Sequence, residues 1–199
     1  MSVNSSIRFT PRLFLSLAAG LTSLAWAADG SLSGKVDATP AKYAAESFVY
    51  VKQVAGTFPK KTETMDQAGM KFSPHLLAVT QGDTVKFLNN DAVTHNVLSP
   101  DDGSYNLGTF NKGETRSHTF DKEGVYSQLC SIHPEMLAYI FVGQNPFHAA
   151  VDAKGHYKIG HLPPGTYQVE IWNSHLKAAA QPVTVTSGSA AEANFSLKR

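Results

Sequence analysis

A chain of 199 residues, 42% hydrophobic and 17% charged, is long enough for one large domain or two small ones with their own cores. Its 17 Lys and Arg nearly balance 16 Asp and Glu, and the cations are scattered, which excludes the basic footprint of a nucleic-acid binder. One cysteine, Cys130, excludes an internal disulfide framework.

Residues 1–27 read as an export signal. Arg8 and Arg12 precede the apolar run Leu13–Ala27, and Ala25-Trp26-Ala27 places small residues where a signal peptidase cuts. The run is short for a bilayer span. The expectation is cleavage after Ala27, a periplasmic mature chain and no membrane span after cleavage. Removing Arg8 and Arg12 leaves 15 cations against 16 anions.

From there the chain reads as β structure. Short runs rich in β-branched and aromatic residues recur at Gly34–Val36, Ser47–Lys52, Ala78–Val79, Thr84–Leu88, Val125–Leu129, Tyr139–Val142, Tyr157–Ile159, Thr166–Trp172 and Pro182–Val185. Turn signals such as Gln81-Gly82-Asp83, Lys112-Gly113, Glu123-Gly124 and Pro163-Pro164-Gly165 separate them. Helical periodicity is hard to find, so the predicted fold class is all-β, built as sandwiches. The domain reading is 28–61 as N-terminal flanking strands, 62–144 as a central β domain and 145–199 as a C-terminal β segment.

The central zone carries the chemistry. A lone thiol in an exported protein is exposed to oxidation unless buried, dimerised or metal-bound. Cys130 sits in Leu129-Cys130-Ser-Ile-His133-Pro-Glu-Met136, with strand-like Ala138–Val142 beyond it, and His95 follows the strand Thr84–Leu88. A thiolate, two imidazoles and a thioether make the ligand set of a blue-copper site, trigonal His₂Cys with a long axial Met. Soft sulfur ligands favour Cu(I) and imidazole also accepts Cu(II), so a rigid mixed site suits electron transfer. Met is a poor zinc ligand, and a c-type haem would need Cys-x-x-Cys-His. A thiol nucleophile paired with His133 would leave His95 and Met136 unexplained. The expected metal ligands are therefore His95, Cys130, His133 and Met136, holding one type 1 copper ion.

The segment from Met65 to Val142 resembles the cupredoxins, through Phe72-Ser-Pro74, Val79-Thr-Gln-Gly82-Asp-Thr-Val85, the His95-Asn96 pair and the ligand loop. Its Cys-x-x-His-x-x-Met spacing is similar to that of the amicyanins. The resemblance implies a Greek-key sandwich, an Asn96–Ser131 tie between the two ligand loops, and His133 as the surface edge where redox partner proteins dock, beside Pro134 and Leu137. The flanks resemble the two halves of a carboxypeptidase-regulatory-like, transthyretin-like module: Gly30–Val36 with Phe48–Val51, and Val151–Trp172. That implies one small sandwich split around the central domain.

The functional expectation is a periplasmic carrier of single electrons, with copper delivery as the alternative. Copper oxidases and nitrite reductases need His-x-His pairs, which are absent, so the expectation is no enzyme activity. His75, His118, His148, His156, His161 and His175 read as surface or turn residues, and Met65, Met70 and Trp172 as core.

Overall fold

In the computed structural model, Met1 and residues 28–199 are described; the predicted signal 1–27 lies, Met1 apart, outside the described residues. Among the described residues, seventeen strands and one 3-10 turn, Ala41–Tyr43, make up the regular structure. In chain order the strands are β1 (Gly30–Ala38), β2 (Ser47–Val51), β3 (Thr62–Gln67), β4 (Phe72–Ser73), β5 (Leu76–Thr80), β6 (Thr84–Asn89), β7 (His95–Ser99) and β8 (Tyr105–Phe110). They continue with β9 (Thr115–Thr119), β10 (Gly124–Leu129), β11 (Leu137–Gly143), β12 (His148–Ala150), β13 (His156–Leu162), β14 (Gly165–Asn173), β15 (Gln181–Val185), β16 (Ala190–Glu192) and β17 (Phe195–Leu197). The all-β expectation holds.

Strands β3 to β11 form two sheets, ordered β4-β3-β6-β9 and β5-β11-β10-β7-β8. Alternation along strands such as β6 and β11 supplies the core between them. Val85 and Phe87 of β6 meet Ala138, Ile140 and Val142 of β11, with Met65, Val97, Phe110, Phe120 and Cys130 in the same buried cluster. The remaining strands form two more sheets, β13-β1-β16 with β17 also on β1, and β12-β2-β14-β15. Here the N-terminal strands pair with C-terminal ones: Gly34 lies opposite Tyr157, and Val49 opposite Ile171. Leu32, Val36, Val49, Val51, Ile159, Val169, Val185 and Phe195 fill the second core.

The two sandwiches share a seam because β11 is apolar on both faces. Its even residues enter the first core, while Tyr139 and Phe141 point the other way. Phe141 meets Phe48 and Tyr50, with ring centroids 5.5 and 4.6 Å apart, and Tyr139 meets Trp172 at 5.1 Å. Phe48 is fully buried there, a burial that stabilises by about 2–3 kcal/mol. At the seam's edge, Tyr50 and Lys52 both donate to Glu170 at 2.8 Å, and Lys52 foremost holds that carboxyl below its ordinary range.

Two expectations need correction. His148, read as surface or turn, is tucked into the seam against Phe141 and Thr80, and burial pushes its pKa down to about 4. Met70, read as core, is exposed, because it occupies a left-handed turn position (φ 56°) between β3 and β4. The runs read from the sequence did not include β3, β8 and β9; β9, Thr-Arg-Ser-His-Thr, buries no residue fully and is held by its backbone ladder to β6.

Candidate metal centre

The site forms at one end of the first sandwich, where two loops meet. The first, Asn90–Thr94, joins β6 to β7. Buried Asn89 shapes it: its Nδ2 donates to the carbonyls of Val93 and Phe110 at 2.9 Å, and its Oδ1 accepts from the Asp91 N–H at 2.9 Å. This loop delivers His95 as the first residue of β7, fully buried. The second loop, 130–136, joins β10 to β11, which run antiparallel from Gly124–Val142 to Leu129–Leu137. A turn inside it closes where the Met136 N–H donates to the His133 carbonyl at 3.0 Å.

Three donor atoms converge there. Nδ1 of His95 and Nδ1 of His133 are 3.0 Å apart, and they lie 4.0 and 3.8 Å from Cys130 Sγ. A circle through those atoms has a radius of about 2.1 Å, within the ~2.0–2.3 Å range of metal–imidazole and metal–thiolate bonds. The donors are thus spaced for one ion at their centre. Met136, the fourth residue, is buried in the same cluster as Cys130. His133 is only half-buried, so of the two imidazoles it is the one reaching the surface.

The scaffold, and not a metal, sets these positions. The Asn96 N–H donates to Cys130 Sγ at 3.4 Å. The Asn96 Oδ1 accepts from the N–H and hydroxyl of Ser131 at 3.3 and 3.1 Å, and its Nδ2 donates to Asn106 Oδ1 and the Gly108 carbonyl, both at 2.9 Å. One buried amide therefore ties the His95 loop, the Cys130 loop and β8 together.

One partner escaped sequence reasoning. Asp91 Oδ2 lies 2.9 Å from His95 Nε2. The Met70 N–H, His95 and the Ala92 N–H hold this carboxyl down, to a pKa of about 2, so it is ionised. No sequence signal marked it, since a four-residue spacing predicts contact on a helix and this segment is a loop. The exposed apolar side chains Val93, Ile132 and Leu137 also lie on these loops or at their ends; only Leu137 had been expected at the surface.

Comparison with known proteins decides the family. Residues 60–143 match the family of copper binding proteins described as plastocyanin/azurin. Among solved structures, a reduced amicyanin variant is 30% identical over 41% of this chain and 81% of its own, with a TM-score of 0.39. Residues 60–143 belong to the plastocyanin/azurin family of copper-binding proteins. A purple cupredoxin from Nitrosopumilus maritimus is 29% identical, covering 41% of this chain and 99% of its own, with a TM-score of 0.38. Residues 138–198 match the carboxypeptidase regulatory-like domain. This cupredoxin therefore carries a second recognised module, and β1 and β2 lie in the same sheets as that module's strands.

Proposed function

We propose that this cupredoxin is an exported, periplasmic carrier of single electrons, with one type 1 copper ion held by His95, Cys130, His133 and Met136. The observation that carries the reading is the convergence of two imidazole nitrogens and one thiolate sulfur at 3.0, 3.8 and 4.0 Å inside a rigid hydrogen-bonded frame. A bound copper ion would supply one-electron chemistry between Cu(I) and Cu(II). The residues supply the rest. Asn96 fixes the spacing of the two loops, so the ligands need not rearrange when the charge changes. His95 and Cys130 are buried, which keeps water and bulky ligands away. Half-buried His133 is the edge for electron entry and exit, and the exposed Ile132 and Leu137 beside it offer an apolar surface to a redox partner protein.

Two organisational proposals accompany this. Residues 62–144 act as the redox domain, while 28–61 and 145–199 act as one split module. No described helix is long and apolar enough to cross a membrane. The closed ligand set favours a carrier over a copper-delivery protein, and the chain's chemistry ends at the electron, without substrate turnover.

The test is a Cu(II) titration of residues 28–199 followed by visible absorption. The expected result is an intense blue, green or purple band that saturates at one equivalent and bleaches reversibly with a reductant. A weakly coloured complex would mean that no copper–thiolate bond forms, and copper delivery would replace electron transfer.

A further inference from the structure

His95 is fully buried, so both ring nitrogens need partners. One faces Cys130 and His133, and the other faces Asp91. We propose that Asp91 is the positioning residue of His95, holding it as an Nδ1 donor, and that its charge lowers the reduction potential of the centre. The inference rests on the type 1 copper reading above.

The first half follows from hydrogen-bond chemistry. The Asp91 carboxyl already accepts from two backbone N–H groups, so at 2.9 Å its Oδ2 faces the Nε2 of His95 as an acceptor, and Nε2 carries the proton. That leaves Nδ1 with a bare lone pair aimed at the point between Cys130 Sγ and His133 Nδ1. The opposite tautomer would set a lone pair against the carboxylate and an N–H into the metal position. Asp91 is itself locked. Its Oδ2 also accepts from the Met70 N–H at 2.7 Å, its Oδ1 from the Ala92 N–H at 3.2 Å, and its own N–H donates to Asn89.

The second half is electrostatic. The Asp91 side chain is 18% exposed, so water screens its charge only in part. A negative charge one imidazole away favours the more highly charged oxidation state. Cu(II) gains over Cu(I), and the potential falls.

A bland alternative exists, since Asp91 also ties the exposed turn at Met70 to the His95 loop. The two roles separate by experiment. Asp91→Asn keeps an acceptor and removes the charge, whereas Asp91→Ala removes both. With copper bound, the Asn variant should show a raised potential, about 59 mV for each tenfold loss of Cu(II) affinity relative to Cu(I). The Ala variant should in addition lose about 10- to 100-fold in Cu(I) affinity, and Asp91→Glu should bring the potential back toward wild type. A potential unmoved in a folded Asn variant overturns the charge role.

A copper-free measurement covers the remaining cases. In the metal-free protein at mildly alkaline pH, nitrogen-15 NMR should find the His95 proton on Nε2 in wild type and shared between nitrogens in Asp91→Ala. A wild-type proton on Nδ1 overturns the positioning role. Failure of wild type to form a copper–thiolate band would instead sink the function reading and leave the tautomer result standing.

Discussion

The two sandwiches are built from the same physics and end in different chemistry. Each is a pair of small sheets closed on an apolar core, one around Phe87 and Ile140, the other around Val49 and Phe195. They differ in where polar groups are buried. Gln67, Thr80, Asp83, Asn89, His95, Asn96, Ser99 and Gln128 lie in or beside the first, while Ser47 and Asn145 are their counterparts in the second and at its junction. A buried polar group must find partners or cost about 1–3 kcal/mol. Most of those of the first sandwich find them in backbone groups and neighbouring side chains, and two of them, Asn89 and Asn96, fix the ligand loops at one end; most polar groups of the second face water. The reactive set sits where that buried network lies, which is what a site with little freedom to rearrange requires.

The largest effect that could break this contrast comes from the thiol. Cys130→Ser should abolish the copper–thiolate band entirely while leaving far-ultraviolet circular dichroism unchanged, because the side chain keeps its size and the cores are untouched. A coloured protein after that change would place the centre elsewhere.

Next comes a change confined to the second sandwich. A Cβ on Gly34 would sit 1.8 Å from the carbonyl oxygen of Ala193, a backbone atom that cannot swing aside. Gly34→Ala should therefore cost about 3 kcal/mol or more in denaturant unfolding. If the two sandwiches act separately, the copper band of the folded protein keeps its position and intensity. A band that shifts with this variant would show that the second sandwich shapes the ligand loop through the seam.

Much of this was legible beforehand, for identifiable reasons. Cys130, His133 and Met136 share one tight loop, so their spacing survives in the sequence, and His95 follows a strand whose alternation, Val85 then Phe87, is plain. Strands buried on one or both faces were readable as apolar runs, as in Tyr139–Val142. Edge strands were not: β9 faces water with Thr115, Ser117 and Thr119, and only its ladder to β6 defines it. Asp91 was hidden because loop contacts follow the path of the backbone and not a period. His148 misled because an isolated histidine beside Phe147 and Ala149 carries no sign of which sheet will cover it.

That histidine gives a smaller, seam-specific effect. Burial, partly offset by Asp83, lowers its pKa to about 4 from 6.5, with Lys61 adding to the depression. Between those values the unfolded chain binds a proton that the folded chain refuses. The stability present above about pH 6.5 is therefore lost as pH falls toward 4, by about 3 kcal/mol at most. His148→Gln should flatten that part of the stability–pH curve in urea titrations. An unchanged slope would move the acid sensitivity to other groups.

The smallest structural effect, and the sharpest on the site, comes from Met136→Leu. The swap nearly conserves volume at a position that is 1% exposed, so stability should change by less than about 1.5 kcal/mol. The backbone bond from residue 136 to the His133 carbonyl survives, because it needs no side chain. What disappears is a weak thioether donor. An axial sulfur tunes a trigonal site without holding it, so the band should persist while the reduction potential rises. Voltammetry of the variant against wild type decides the matter. An unchanged potential would leave Met136 as core packing in the first sandwich, and the centre as a three-ligand site.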